Sequence, residues 1–164
     1  MTTHDARLQE AIRIRESGDT ETARTLLLQL AAEVPEDAQV YYQCAWAHDA
    51  LGMEREAVPY YERALALGLR GDAGHGAFLG LGSTYRALGE YERSLATLQR
   101  GLATYPGDRA LATFLAMTLY NVGQSRDAVA ILLQHLAETS ADEGIRRYQR
   151  AMLFYAARLD ETWE

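Results

Sequence analysis

Three landmarks recur four times along this chain at nearly constant spacing. The first is a glycine, which stands at Gly18, Gly52, Gly89 and Gly123. Five residues after each glycine comes a small residue, and four residues further on comes a larger apolar one: Ala23, Ala57, Ser94 and Ala128, followed by Leu27, Tyr61, Leu98 and Leu132. Successive copies lie 34, 37 and 34 residues apart at all three landmarks. The sequence therefore contains four copies of an internal repeat, and each copy is expected to form one structural unit.

Each copy has the hydrophobic period of a helix rather than that of a strand. In the third copy, four residues fall at i, i+3, i+4 and i+7 on one helix face: Phe78, Leu81, Gly82 and Tyr85. Gly89 follows the last periodic residue, where a helix usually ends in the left-handed conformation. A second apolar-periodic stretch then ends at Pro106 and Gly107, and Asp108 is placed to cap the next helix. The predicted unit is helix, turn, helix.

These residues resemble the tetratricopeptide repeat family. The pattern Phe78-x2-Leu81-Gly82-x2-Tyr85, then Ser94-x3-Leu98, then Pro106 is similar to the family's own, with Phe for the usual Trp and Ser for the usual Ala. The C-terminal part is also similar to the small bacterial proteins called tetratrico peptide repeat group 5. The resemblance implies an all-α, right-handed α-solenoid of four helix-turn-helix units plus a C-terminal capping helix. It implies one domain over residues 1–164, with repeats at about 4–37, 38–74, 75–108 and 109–141 and a cap at about 142–160.

The landmarks also assign interior and exterior positions. Small residues on the first helices are expected to oppose small residues on the second helices, because larger side chains would hold the helices apart: Ala11 with Ala23, Ala45 with Ala57, Gly82 with Ser94, and Ala116 with Ala128. Polar Arg7 and Glu10 in the first unit suit an outermost helix that faces water. The glycine-rich stretch 67–76 has no preceding strand and no following GKS or GKT, so it is predicted to be a mobile linker rather than a phosphate loop.

In the family, stacked first helices line a concave groove that contacts extended peptides. Carried over by position, the groove residues are Leu8, Ile12 and Arg15, then Tyr42, Trp46 and Asp49, then Leu79, Ser83 and Arg86, then Thr113, Met117 and Tyr120, with Gly76, Gly80, Phe114 and Asn121 beside them. Large apolar side chains on a groove are typical of a binding surface. The alternative is that the groove aromatics pack on each other or on the cap, and the sequence leaves both interpretations open. A related groove that clamps a heat-shock chaperone has Lys and Asn where this chain has Leu8 and Ile12, so that partnership is not expected.

The segment 142–160 is predicted to be one capping helix, equivalent to a fifth first helix. Its apolar stripe consists of Ile145, Tyr148, Met152, Tyr155 and Leu159. The preceding segment "AETSAD" has no Gly or Pro to fix the register, and the cleaner stripe places Ile145, Tyr148 and Met152 on the core. That register turns three arginines toward the groove and its rim: Arg146, Arg147 and Arg150. They are either a solvated face or a site for an acidic ligand.

Composition and charge argue against some classes of partner. Of the 164 residues 48% are hydrophobic, which is enough to fill a core, and the net charge of −7 argues against nucleic acid as a partner. No apolar run reaches the roughly 20 residues that cross a bilayer, and "MTTHDARLQE" lacks the features of a secretory signal, so no membrane partner is expected. The single cysteine, Cys44, suits a reducing cytoplasm and is expected to be a small core residue.

No catalytic or metal-binding pattern is present in the sequence. The four histidines lie in different repeats without ligand spacing: His4, His48, His75 and His135. His48 is expected at the core or its rim, and His135 is expected to be buried and hydrogen-bonded. The predicted function is therefore a non-catalytic adaptor, without cofactor or metal, that binds a protein or peptide in the groove. The alternative is a homo-oligomerisation module that uses the same surface.

Overall fold

The computed structural model describes residues 3–163, which form ten α-helices and no strand. Residues 1, 2 and 164 of the predicted domain lie outside this range. The helices are α1 (Thr3–Glu16), α2 (Thr20–Glu33), α3 (Ala38–Ala50), α4 (Glu54–Ala66), α5 (Gly71–Ala87), α6 (Tyr91–Thr104), α7 (Arg109–Asn121), α8 (Ser125–Thr139), α9 (Glu143–Arg147) and α10 (Gln149–Ala156). The all-α solenoid predicted from the repeat is confirmed.

The first eight helices form four hairpins that pack one on the next. The turn of each hairpin contains the repeated glycine, and φ at Gly18, Gly52, Gly89 and Gly123 lies between 70° and 98°. Only glycine adopts this conformation without strain, so the sequence spacing of the glycines fixes where each first helix ends. Asp108 caps the N-terminus of α7 as predicted, and its carboxylate accepts a 2.8 Å hydrogen bond from the Leu111 amide.

The small residues that oppose each other within a hairpin are fully or almost fully buried, as the sequence predicts. In the third hairpin the Ser94 hydroxyl donates a 2.7 Å hydrogen bond to the Gly82 carbonyl, so the polar atom of the small residue is satisfied inside the core. The large landmark residues Leu27, Tyr61 and Leu98 are at most 3% exposed, whereas Leu132 in the fourth hairpin is 43% exposed. The repeated core is thus complete in three hairpins and open at the last.

The glycine-rich stretch 67–76 is not a linker, and this prediction was wrong. Helix α5 begins at Gly71, so most of the stretch is helical and the predicted repeat boundary at 74/75 falls inside α5. A Cβ atom at Gly74 would lie 2.7 Å from the Leu69 carbonyl oxygen, and one at Gly76 would collide with the Tyr42 hydroxyl. These glycines therefore serve close packing of α5 against its neighbours rather than chain mobility.

The capping segment also differs from its prediction. The helix breaks at Tyr148, whose amide donates to the Ile145 carbonyl in a tight turn, and two short helices result. Tyr148 is 62% exposed rather than in the core, and Tyr155 and Leu159 are exposed as well. Within α10 the buried residue is Ala156, and the side chain of Gln149, an exposed residue, donates a 2.9 Å hydrogen bond to the Ala137 carbonyl of α8. Three of the five residues of the predicted stripe are therefore exposed, whereas Ile145 and Met152 are half-buried.

The two short helices do not continue the row of first helices. Each first helix contacts the next one in the series α1, α3, α5 and α7. Within the described chain, α9 and α10 contact α8 and each other, and neither contacts α7. The cap therefore lies against the second helix of the last hairpin and leaves the inner row with four members.

Candidate functional site

A depression opens on the inner row of helices, between α3, α5 and α7. It has a volume of about 370 Å³ and is lined by Tyr42, Trp46, Asp49, Ala50, Tyr61, Gly76, Leu79, Gly80, Ser83 and Phe114. We call this depression the groove. Six residues that the sequence assigns to the groove line it, namely Tyr42, Trp46, Asp49, Leu79, Ser83 and Phe114, and the two flanking glycines line it as well.

Other groove candidates lie elsewhere. Leu8 is buried in the first core cluster, and Ile12 packs against the same cluster. Both side chains are apolar, and they contribute to the core between α1, α2 and α3 instead of to the groove. Arg86 and Met117 are half-buried and Tyr120 is exposed, and none of the three lines the groove.

Two tyrosines form the floor of the groove, because the residues of α5 that face them are glycines and leave room for their rings. The Tyr42 hydroxyl lies against Gly76, and a Cβ atom at Gly80 would lie 2.5 Å from the Tyr61 hydroxyl. Tyr61 is a core landmark in the sequence, and its role in the groove was missed. Its phenol ring is buried in the second core cluster while its polar end reaches the groove, which is the ordinary behaviour of a buried tyrosine.

Asp49 places a half-buried carboxylate in the groove. The Tyr61 hydroxyl donates to it over 3.0 Å, and the Thr84 hydroxyl lies 3.0 Å from both of its oxygens. Desolvation raises the pKa of Asp49, and the hydrogen bonds from Tyr61 and Thr84 partly oppose that rise. The carboxylate is thus held in one position and remains able to accept a hydrogen bond from a ligand.

Trp46 packs on one side and is open on the other. Its ring centroid lies 5.9 Å from that of Tyr42, and the guanidinium carbon of Arg15 lies 3.5 Å from its ring centroid. Even so, the residue is 40% exposed. The indole therefore packs on neighbours within the groove and still presents surface to solvent.

The cap arginines do not join the groove. Arg146, Arg147 and Arg150 are exposed, and Arg147 and Arg150 border a separate depression of about 400 Å³ with Tyr148, Ala151, Phe154 and Tyr155. Among the described residues, the two depressions have no lining residue in common. The expected orientation toward the groove was wrong because it required a continuous helix stacked on the inner row.

The chemically reactive side chains occupy structural positions. His48 is buried, its Nδ1 lies 2.7 Å from the Cys44 carbonyl, and its ring stacks on Tyr60 at 4.9 Å. Burial raises the pKa of the Cys44 thiol to about 12. His135 is only half-buried and its Nδ1 has no hydrogen-bond partner in the described chain, in contrast to the expectation. Among residues 3–163, no three His, Cys, Asp or Glu side chains are grouped as metal ligands.

No helix between residues 3 and 163 is both long enough and apolar enough to cross a membrane.

Comparisons with known proteins agree on the fold. Residues 38–159 match the family model described as "Tetratrico peptide repeat". A search of curated protein sequences gives no significant match. Among solved structures, the chain is similar to YrrB, described as a TPR protein with an unusual peptide-binding site, at a TM-score of 0.67 and 20% identity over 94% of this chain and 84% of that one.

Two further solved structures have the same fold. The MamA protein matches with a TM-score of 0.71 and 15% identity, covering 99% of this chain and 79% of that one. TPR-like repeats of a putative kinesin light chain from Podosopora anserina match with a TM-score of 0.69 and 22% identity, covering 94% and 85%. At these identities the structures show a common solenoid architecture and nothing about the ligand.

Proposed function

The chain belongs to the tetratricopeptide repeat family, and on that basis we propose that it is a non-catalytic adaptor whose groove binds a peptide or protein segment. The fold makes it a protein-interaction module, and the groove is the concave surface available on its inner row. The peptide-binding site in the description of YrrB supports this use of the fold.

The exposure of Trp46 carries the proposal. Eleven large hydrophobic residues are exposed between residues 3 and 163, and Trp46 is the only one of them before residue 120. It lies in the groove, beside the hydrogen-bonding carboxylate of Asp49. An exposed aromatic side chain next to a few fixed polar groups is the usual composition of a binding hot spot.

Selection from peptide libraries on the full chain tests the proposal. Two libraries of random heptapeptides are used, one with free C-termini and one with the C-terminus fused to a carrier. Ser83→Trp fills the groove with a large ring, and Thr25→Trp places the same ring on the exposed face of α2 as a matched control. We expect selected peptides to bind wild type and Thr25→Trp alike, and to lose about tenfold or more in affinity for Ser83→Trp. Failure to select any peptide, or equal binding to both variants, contradicts groove binding.

A second candidate function, self-association, is favoured by the C-terminal end of the solenoid. Ten of the eleven exposed large hydrophobic residues lie there: Tyr120, Val129, Leu132, Leu136, Tyr148, Leu153, Phe154, Tyr155, Leu159 and Trp163. Val129, Leu132 and Leu136 form one stripe on α8. The equivalent residues of α4 and α6 pack in the core clusters, where the next hairpin adjoins them. The stripe on α8 therefore corresponds to the surface that, in the other repeats, the next hairpin covers, and the cap leaves it exposed.

A second copy of this chain fits that stripe. The cap exposes Tyr148, Tyr155 and Leu159, which we call the cap stripe, and apolar side chains of a first helix are what cover the equivalent surface in the other repeats. A two-fold dimer would place each cap stripe on the partner's α8, and such an exchange is self-complementary. The opposite end of the solenoid carries the Arg7–Glu33 ion pair instead of an apolar stripe, which disfavours head-to-tail stacking.

Light scattering over a range of concentrations tests self-association. We expect a dimer for wild type, a monomer for Leu132→Glu, and a dimer for Ala96→Glu, which changes an exposed alanine of α6. Leu132→Cys and Tyr155→Cys chains should form more disulfide-linked dimer when mixed than either forms alone. A wild-type chain that remains monomeric at high concentration contradicts this second function and leaves the groove proposal standing.

A further inference from the structure

Arg15 is a cation with a largely buried side chain and no hydrogen-bond acceptor among residues 3–163. Its side chain is 8% exposed, its Nε is enclosed, and no hydrogen bond joins its guanidinium to any residue between 3 and 163. The nearest carboxylate belongs to Glu16, whose Oε1 lies 3.7 Å from Nη2 and whose side chain is 63% exposed. Burial lowers the pKa of Arg15, as expected for a charge that is removed from water without full compensation.

The position of Arg15 connects it to the groove. Its guanidinium stacks on Trp46, and its charge acts on the hydroxyls of Tyr42 and Tyr61, which form the groove floor. Of the three guanidinium nitrogens of Arg15, Nε is enclosed without a partner, whereas neither Nη is. Arg15 does not itself line the groove, but its guanidinium lies against Trp46, which does, so a ligand that covers Trp46 can approach the Nη groups.

A structural role alone does not account for this arrangement. A buried charge is destabilising unless it is paired and hydrogen-bonded. Stacking on Trp46 compensates in part, but it leaves the N–H donors of the guanidinium unused. A planar fork of free donors held against an aromatic ring is suited to oxyanions, and the oxyanion that a peptide carries, on Asp, Glu or its C-terminus, is a carboxylate.

We propose that Arg15 binds a carboxylate of the peptide that occupies the groove. This inference rests on the proposed groove function and adds the chemistry of the ligand. The carboxylate is an acidic side chain or the chain terminus of the peptide. Its forked hydrogen bonds satisfy the guanidinium while the rest of the ligand covers Trp46. Asp49, on the next helix of the inner row, provides the opposite charge and accepts an N–H of the same ligand.

The two peptide libraries described above also test this assignment, with Arg15→Gln as the variant. Arg13→Gln is the matched control, because Arg13 lies on the same helix, is 69% exposed and pairs with Glu10. We expect wild type and Arg13→Gln to select peptides with a carboxylate at one fixed position, and Arg15→Gln to select without that preference. Enrichment of Asp or Glu in both libraries would identify a side-chain carboxylate as the group that Arg15 binds. Selection only from the library with free C-termini would identify the terminal carboxylate.

A double-mutant cycle measures the contact directly. Replacing the selected Glu by Gln in a peptide, or the free terminus by an amide, should weaken binding to wild type about tenfold or more and leave binding to Arg15→Gln nearly unchanged. An equal loss in both proteins, or selected peptides without a carboxylate preference, overturns the assignment of Arg15 while groove binding stands. Selection of no peptide overturns both.

Thermal unfolding separates a ligand-binding role from a structural one. Because the free protein compensates the charge only in part, Arg15→Gln should melt at the same temperature as wild type or higher. A clear decrease in melting temperature would show that Arg15 stabilises the fold through Trp46, and it would overturn the proposal.

Discussion

Gly82 of α5 and Leu98 of α6 touch across the third hairpin so closely that glycine is the only residue that fits. A Cβ atom built on Gly82 would lie 2.5 Å from Cγ and 2.6 Å from Cδ2 of Leu98. Leu98 is fully buried and is the large landmark of its repeat, so it has little room to move. The pair shows why the repeat keeps a small residue at this place in each first helix.

Gly82→Leu should therefore destabilise the protein, whereas Ser83→Leu should not. Overpacking of a close helix contact costs on the order of 1–3 kcal/mol or more, which corresponds to several degrees in melting temperature for a chain of this size. Ser83 is the next residue but faces the groove, where a larger side chain meets solvent. Urea unfolding of both variants measures the difference. Equal losses would mean that the helix phase assigned to the third repeat is incorrect.

Trp46→Ala should weaken binding of the selected peptides without unfolding the protein. The indole is 40% exposed and contacts Tyr42 and Arg15 on its other side, so its removal affects the groove more than the core. Loss of an aromatic anchor often costs 2 kcal/mol or more, roughly 30-fold in affinity. Isothermal titration and circular dichroism of the same sample check both parts. Loss of helical signal would instead favour self-packing of the groove aromatics.

Asp108→Ala should lower stability at neutral pH by about 1 kcal/mol, the usual effect of removing an N-cap. Burial opposes ionisation of Asp108, but the hydrogen bond from the Leu111 amide and the neighbouring His75 ring, whose Nε2 lies 3.1 Å from Oδ2, hold its pKa below the ordinary value. A carboxylate with a lowered pKa stabilises the fold above its ordinary pKa, and this contribution disappears as the pH falls through the lowered value. The difference between wild type and Asp108→Ala should therefore shrink below about pH 4.

Asp108→Asn is the control for that titration, because asparagine caps helices but does not ionise. Chemical unfolding of the three proteins between pH 3 and pH 7 gives the comparison. A difference between wild type and Asp108→Ala that is independent of pH would mean that the charge of Asp108 does not contribute to capping.

Cys44 should be unreactive in the folded protein. Its thiol is fully buried and its pKa is about 12, so at pH 8 only about one thiol in ten thousand would be ionised. A thiol reagent such as DTNB should react slowly with the native chain and rapidly in guanidinium chloride. Fast reaction under native conditions would indicate frequent opening of the second hairpin.

The sequence predicts the groove well where helix period alone determines which way a side chain points. Tyr42, Trp46 and Asp49 follow one another at i, i+4 and i+7, so they lie on one face of α3. The glycine landmark after α3 indicates which face this is. The contact of Arg15 with Trp46 joins residues 31 positions apart in sequence and depends on a side-chain rotamer, which no periodicity encodes. It could not be predicted from the sequence.

Two segments were misjudged because their residues allow more than one structure. Glycine is compatible both with a mobile linker and with very close helix packing. In residues 67–76 the glycines allow close packing, as their contacts with Tyr42 and Leu69 show. In the cap, a continuous apolar stripe indicates a helix but not which neighbour it covers. The break at Tyr148 and the hydrogen bond from Gln149 to Ala137 place α10 on α8 instead of on the inner row.

The cap arginines provide the last prediction. Because α9 and α10 contact only α8 and each other among the described helices, reversal of Arg147 and Arg150 to Glu should leave peptide affinity in the groove unchanged. Both arginines are exposed and form no ion pair with any residue from 3 to 163, so the reversal should also have little effect on stability. The same double variant should alter self-association, because both side chains border Tyr148 and Tyr155 of the cap stripe, and added salt should reduce that effect. Peptide titration and light scattering on one preparation separate the two surfaces. Loss of groove binding in this variant would show that the cap reaches the groove in solution, as the continuous helix predicted from the sequence requires.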